Sequence, residues 1–391
     1  MPTANAGDAG PATRADLSNW QEPPFSRWAF SHVDEIVAHA DIAAPEVAWA
    51  LPGGPGALDG FALKLGDDSL DLETFLEQTA TDALVVLHDG RIVYETYRGE
   101  AGPHAPHILM SATKAVMGLL AGGLAERGAL AVDAPVSDYV PEIADGPYRG
   151  ATIRQLLDMR TGVRLDEAQT AAYDAASGWQ PTPPGRPSNL HGFLAGLSGT
   201  AQAHGGPFAY ISPNTDLLGW AMERATGRSM AELLSELIWR PMGAEHPALI
   251  TTDSHGAARC TGGLCATARD FVRIGRLVLE HGRRGDAEVV PEGWIDDIAG
   301  GGDPEAWADG EWGPLFRFAG ARLSYRAGWY IVHDSPASAF AMGIHGQNLF
   351  VDPDHGIVVA KLSSQGARID YRAVPLTHLA VPEIVRCVLA G

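Results

Sequence analysis

The sequence predicts an α+β fold: an antiparallel sheet flanked by helices, with an inserted, mainly helical lobe. Three observations predict it. Strand-like hairpins stand towards both ends of the chain. Amphipathic helical segments fill the middle. The 391 residues, 46% hydrophobic and 19% charged, suffice for two units or for one large unit with an insertion. We expect residues 1–18 to form a disordered tail of small residues. Residues 19–110 and 260–391 would form the sheet domain and 111–259 the helical lobe, with a cleft between them.

Residues 83–98, ALVVLHDGRIVYETYR, read as a hairpin. Two β-rich runs flank Asp89-Gly90, a pair suited to the positive φ of a tight turn. From 111 to 130, SATKAVMGLLAGGLAERGAL puts Val116, Leu119, Leu120 and Leu124 on one helical face. Ser111 would cap that helix or sit in its first turn, and Gly128 would stop it. Residues 152–159 read as a short helix, turned by Thr161-Gly162. Residues 178–206 are crowded with Pro and Gly, which predicts a long irregular excursion holding one short helix over 190–197. Long ordered loops often carry function. Residues 215–227, 230–239 and 266–281 read as amphipathic helices. Segments 328–333 and 346–362 supply the closing strands, with a hairpin turn over 352–356. A short helix over 382–389 would end the chain, since proline is tolerated in a first turn.

Composition narrows the function. Asp and Glu number 48 against 28 Lys and Arg, a net charge of −20. Such a surface repels phosphate backbones and anionic lipid, so neither nucleic acid nor a membrane is an expected partner. No uninterrupted apolar run approaches the ~18 residues of a membrane helix. The opening MPTANAGDAGPATRADL lacks the basic-then-apolar order of a secretory signal. Cys260, Cys265 and Cys387 are an odd count without framework spacing, which fits buried free thiols in a reducing cytoplasm. No third or fourth ligand lies near the Cys260–Cys265 pair in sequence, so no metal and no cofactor is expected. There is no Gly-x-Ser-x-Gly elbow, no His-Glu-x-x-His helix and no Gly-x-x-x-x-Gly-Lys loop. Gly54-Pro-Gly56 is too isolated for a dinucleotide loop. His104 and His107 read as surface residues.

The sharpest chemical signal is Ser111-Ala-Thr-Lys114. Residues three apart share a helical face, so a helix starting here presents a hydroxyl and an amine to one pocket. Serine needs a base to become a nucleophile. Lysine can be that base only if its ammonium is destabilised, as burial and the positive end of a helix dipole both do. The same helix start offers a backbone N–H to an oxyanion. The chain has three lysines, Lys64, Lys114 and Lys361, and the hydrophobic run after Lys114 argues for its burial. A second signal is Tyr210-Ile-Ser212 just before a helix, where a phenol beside an amine can relay a proton. The third is Met342-Gly-Ile-His-Gly346, a strand broken by glycines of the kind that let a ligand or backbone approach closely.

Together these motifs resemble the serine β-lactamase and penicillin-binding-protein superfamily. TIRQLLDMRTG (from Thr152) resembles its class C and esterase branch. WQEPPFSRWAF from Trp20, SATK from Ser111, ASGW ending at Trp179, NTDLLGW from Asn214 and GIHGQNLFVDP from Gly343 resemble its amidases of 6-aminohexanoate oligomers. The resemblance spans residues 20–364 and implies the β-lactamase/DD-peptidase-like fold. It implies Ser111 as the acylated nucleophile, Lys114 as its base and Tyr210 as the proton shuttle to the leaving group. The N–H groups of Ser111 and Ile344 would form the oxyanion hole. Asp174 would face a substrate amine, Trp179 would stand on a mobile loop over the cleft, and Thr261 and His345 would line the pocket. Gln169 falls where such amidases carry a tyrosine that hydrogen-bonds the scissile amide, with Tyr173 as the alternative. Ala341-Met342-Gly343 replaces the family's Lys-Thr-Gly, so the cation that grips a β-lactam carboxylate is missing from that triplet.

The activity so implied is acyl-enzyme hydrolysis of a small amide or ester, the linear dimer of 6-aminohexanoate or similar short oligoamides first. A carboxylesterase or acyltransferase is the alternative, and a non-catalytic acyl-binding module the second. The resemblance also implies a homodimer.

Overall fold

A computed structural model of the chain describes residues 14–54, 58–185, 189–314, 316, 322–334 and 338–391. Most of the expected tail, the Pro55-Gly56 part of the Gly54–Gly56 loop and residues 186–188 of the Pro-rich excursion lie outside the described residues.

The first strand is β1 (His39–Ile42), followed by a small hairpin of β2 (Ala62–Leu65) and β3 (Asp68–Asp71). The hairpin expected over 83–98 is β4 (Thr81–His88) and β5 (Arg91–Tyr97). Its turn uses positive φ at both Asp89 and Gly90. After β6 (His107–Ile108) the chain turns helical. Helices run over Thr113–Glu126, Ile153–Leu157, Glu167–Ala176, Leu190–Ala195, Pro213–Thr226 and Met230–Leu234. The last of these continues through Ser235–Trp239 as a π-helical turn. Then come β7 (Ala248–Thr251), β8 (Leu264–Ala266), the Ala268–Leu279 helix and the short hairpin β9 (Arg283–Arg284) and β10 (Ala287–Glu288). The closing strands are β11 (Leu323–Arg326), β12 (Trp329–Val332), β13 (Ser338–Gly343), β14 (Gln347–Asp352) and β15 (Ile357–Ser363).

Seven strands form one antiparallel sheet in the order β11-β12-β13-β14-β15-β4-β5, so the last strand of the chain pairs with the β4–β5 hairpin of its first half. A four-stranded sheet, β1-β7-β8-β6, stands beside it. In it β7, which falls inside the stretch expected to be mainly helical, pairs with β8. Alternation decides what each face of the large sheet meets. Val85, Leu87, Leu349, Val351, Val358 and Ala360 point into the core with the Thr113–Glu126 helix. Leu84, Val86, Phe350, Ile357 and Val359 point the other way. Both faces are therefore covered, which is why LVVL and IVVA read as continuous apolar runs.

The second cover is where the sequence reading needs correction. The C-terminal helix runs over Ala373–Ala390, with Pro382 in its interior rather than its first turn. Asp370 accepts hydrogen bonds from the N–H groups of Arg372 and Ala373 and so starts the helix early. A face including Leu376, Ala380, Ile384 and Val388 packs into the core, and that packing outweighs the proline penalty. By length and composition this helix is apolar enough to cross a membrane, although no uninterrupted apolar run marks it. Other departures are small. The helix expected from Ser111 begins at Thr113, after a 3₁₀ turn over Met110–Ala112. His107 is buried, with Nδ1 on the Ile108 carbonyl and Nε2 3.4 Å from Asp82. All three cysteines are free and buried.

Candidate active site

The site begins with a backbone feature. Met110, directly before Ser111, holds φ at +47°, a conformation non-glycine residues adopt at a cost and often next to functional groups. The tight turn over Met110–Ala112 and the Thr113–Glu126 helix then carry Ser111 and Lys114. Lys114 Nζ lies 2.9 Å from Ser111 Oγ and donates to the Thr261 carbonyl at 2.8 Å. Lys114 is only 2% exposed. Burial, aided by the Arg259 guanidinium, drives its pKa well below the ordinary lysine value, while Asp216 pulls it back up. Tyr210 completes the group: its ring lies under the Lys114 amine at 4.8 Å, and it lines the same cavity as Ser111. Burial raises the Tyr210 pKa, so the phenol holds its proton at neutral pH.

Gly343 ends β13 against this turn. A Cβ there would lie 2.6 Å from the Leu109 carbonyl oxygen and 3.0 Å from Ser111 N, so only glycine lets the strand end reach the serine. Ile344 follows in a 3₁₀ turn over Ile344–Gly346, in which His345 has φ +61°. Ser111, Tyr210, Ser212, Met342, Gly343 and Ile344 all line one cavity of about 460 Å³, within the size range of small-molecule sites.

The other expected site residues are placed differently. Thr261 contributes its carbonyl to Lys114, and its own N–H donates to Asp216. His345 is buried behind the turn: Nδ1 contacts the Gln365 carbonyl at 2.7 Å, and burial lowers its pKa. Trp179 sits in a core cluster and does not line the cavity. It is buried, donates Nε1–H to Thr251 Oγ1 and stacks edge-on with Trp20. Tyr173 is also in the core, its hydroxyl on Asp216 at 2.5 Å. Gln169 closes a capping box with Asp166 at the start of the Glu167–Ala176 helix and reaches the Ser198 carbonyl. Asp174 stands on that same helix, partly exposed. None of these six lines the Ser111 cavity. For Gln169, Tyr173 and Asp174 helical geometry is the reason: 166–176 folds as a capped helix, so the side chains that a looped segment would extend over the cleft are spent on caps and core.

Sequence reasoning missed Asp216 and Arg259. Asp216 is buried and accepts from Tyr173 Oη, Arg259 Nη1 and Thr261 N. It anchors Thr261, whose carbonyl holds Lys114, and its negative charge favours the protonated form of that amine. The signal available was Asn214-Thr-Asp216 at the start of an amphipathic helix, a stretch that carried the family resemblance but was given no role in the site. A separate cluster, His104, Glu245 and His246, has ligand atoms within 4.8 Å of one another. His104 Nδ1 and His246 Nε2 already share a hydrogen bond, Glu245 is paired with Arg273, and none of the three lines the Ser111 cavity.

Comparison with known proteins agrees with this geometry. The family model for "Beta-lactamase" matches residues 71–381. The chain belongs to that family and is a serine hydrolase with the family's fold. It is 36% identical over 355 residues to the 6-aminohexanoate-dimer hydrolase of Paenarthrobacter ureafaciens, covering 89% of this chain and 88% of that enzyme. It is 28% identical over 205 residues to the esterase EstB of Burkholderia gladioli, covering 48% and 52%. A Bacillus anthracis structure provisionally named a 6-aminohexanoate-dimer hydrolase superposes with a TM-score of 0.84 at 27% identity, covering 95% of this chain and 98% of that one.

Proposed function

We propose that the protein cleaves short linear amides, the linear dimer of 6-aminohexanoate among them, and simple esters by two-step acyl transfer at Ser111. Neutral Lys114 accepts the Ser111 proton as Oγ attacks the carbonyl. The N–H groups of Ser111 and Ile344 receive the oxyanion, each worth ~3 kcal/mol in comparable sites. Tyr210 protonates the departing nitrogen, and the C–N bond breaks. Water then attacks the Ser111 ester, returns a proton through the same groups and releases the acid. The observation that carries this reading is a buried amine, held below its ordinary pKa, in hydrogen-bond contact with a serine that lines an open cavity. The relative at 36% identity supports the choice of amide.

Esterase action is the second reading, and Gln169 favours it: that side chain is spent on a helix cap and does not line the Ser111 cavity. Esters need a leaving-group proton less than amides do. Hydrolysis of the 6-aminohexanoate linear dimer beside short p-nitrophenyl esters separates the two. Turnover of both is expected; ester turnover alone would overturn the amidase reading.

A further inference from the structure

A group of ligand-type side chains stands apart from the Ser111 site. His104 comes from the segment between β5 and β6, and Glu245 and His246 from the turn before β7. His104 Nδ1 and His246 Nε2, 142 residues apart in the chain, face each other at 2.8 Å. One carboxylate oxygen of Glu245 joins them, all three donor atoms lying within 4.8 Å of one another. No sequence spacing could announce this meeting of two imidazoles and a carboxylate.

The backbone beneath these donors is already fixed. Asp270 accepts from the Glu245 N–H at 2.7 Å and the His246 N–H at 3.1 Å, and the His246 carbonyl accepts from Trp239 Nε1 at 2.9 Å. Arg273, 1% exposed, donates to Glu245 Oε2 at 2.8 Å and to Asp270 Oδ1 at 2.9 Å. Metal-bound carboxylates are commonly oriented by such a second hydrogen bond. Glu245 Oε1 is less engaged: Arg269 Nη1 stands 3.9 Å away, because that guanidinium is taken by both oxygens of Glu95 at 2.7 and 3.0 Å. Glu95, Glu245 and Asp270 face Arg269 and Arg273, three formal negative charges against two positive. The cluster therefore holds one negative charge in excess, which favours a cation. His104 is exposed and the other two donors partly so, so an ion can reach them.

We infer that His104 Nδ1, His246 Nε2 and a Glu245 oxygen bind one borderline divalent transition-metal ion of the zinc class, with water at the fourth position. Bonds of about 2.1 Å set the donor atoms of a four-coordinate ion about 3.4 Å apart. From 2.8 Å the two nitrogens part by about 0.6 Å, and from 4.8 Å the carboxylate closes by about 1.4 Å at most, both within side-chain rotation. The proton shared between the two nitrogens moves to the far nitrogen of the ring that carries it. Both rings then stay neutral and each turns a lone pair to the ion. Imidazole donors select zinc, cobalt or nickel over magnesium. The ion would staple the entry of β6, which leads into the Met110–Ser111 turn, to the entry of β7. None of its ligands lines the Ser111 cavity, so this inference stands or falls apart from the acyl-transfer reading.

The test uses the full chain without an affinity tag, stripped with a chelator and desalted. It is titrated with Zn²⁺ alone by calorimetry, and Tm is followed as Zn²⁺ is added. One ion per chain is expected, with Kd of about 10 μM or tighter and a Tm that climbs with Zn²⁺ concentration. His104→Ala and His246→Ala should each weaken binding about tenfold or more. The chain has 14 histidines, so His281→Ala, which removes an exposed histidine 3.9 Å from Asp296, serves as the control and should leave Kd unchanged. Mg²⁺ at the same concentration should leave Tm where it was. The zinc-free Tm of each variant reports its fold, and His104→Ala, at an exposed position, decides the matter if His246→Ala folds poorly. Failure to take up Zn²⁺ below about 100 μM, a Kd indifferent to His104→Ala, or an equal response to Mg²⁺ would overturn the inference.

Discussion

Two buried lysines touch serine hydroxyls in this molecule, and only one pair can act on a substrate. Lys114 and Ser111 meet at 2.9 Å, Lys361 and Ser363 at 2.5 Å. Both amines are almost fully buried. Burial depresses both pKa values, that of Lys361 to about 7 against an ordinary 10.5. By contact and by the direction of the shift, Lys361 with Ser363 resembles Lys114 with Ser111. The difference is access. Ser111 lines the cavity, whereas Ser363 is wholly buried in β15, its N–H and carbonyl both held by the Gln347 side chain. Gln347 Nε2 also reaches the Ile344 carbonyl at 3.3 Å, so the Lys361 cluster braces the turn that the Ser111 site uses. A depressed lysine beside a serine marks a polar knot in the core as readily as a catalytic pair; the open face on the hydroxyl decides which it is.

The comparison breaks most visibly at the two serines. Ser111→Ala should lower kcat/KM by ~10⁴ or more and abolish labelling by a fluorophosphonate. Ser363→Ala should leave labelling intact and cost ~1 kcal/mol of stability, read by denaturant unfolding. Labelling of the Ser111→Ala protein would erase the distinction. Tyr210→Phe comes next: amide hydrolysis should fall ~10²-fold, with a smaller loss on an activated ester, measured as kcat on both substrates.

Titration sharpens the contrast, because both depressed lysines bear on stability but only Lys114 should appear in activity. Lys114 must be neutral to accept a proton, so kcat/KM should fall as pH drops through its lowered pKa, and the acid limb should lie well below 10.5. Lys361 should show in stability instead. Its native pKa is below its unfolded value, so between about pH 7 and 10.5 the unfolded chain binds more protons and stability rises with pH. Lys361→Met should remove its share of that rise, seen as Tm against pH, while the acid limb of activity stays in place. The smallest effect is expected at Gln169, whose capping role predicts that Gln169→Ala costs ~1 kcal/mol of stability and leaves kcat near that of the native protein.

Much of this was written in the sequence. The hairpin at Asp89-Gly90 and the helix after Ser111 follow from turn chemistry and apolar period, and the Ser111–Lys114 contact follows from a spacing of three across a 3₁₀ turn that runs into the helix. These are local relations, set by the few residues between the partners. Tyr210 could be proposed only as a companion from a distance, since its place beside Lys114 depends on how two helices pack. The reading failed where one local pattern had two tertiary outcomes. Residues 169–179 could extend over a cleft or coil into a capped helix, and caps at Asp166 and Gln169 with core contacts at Tyr173 and Trp179 chose the helix. Pro382 could begin a helix or sit within one, and the sheet face waiting to be covered chose the interior. Which lysine faces a cavity, which aspartate aims Lys114 and which histidines meet beside a carboxylate were settled by the fold alone, because desolvation and charge proximity act through space between residues far apart in the chain.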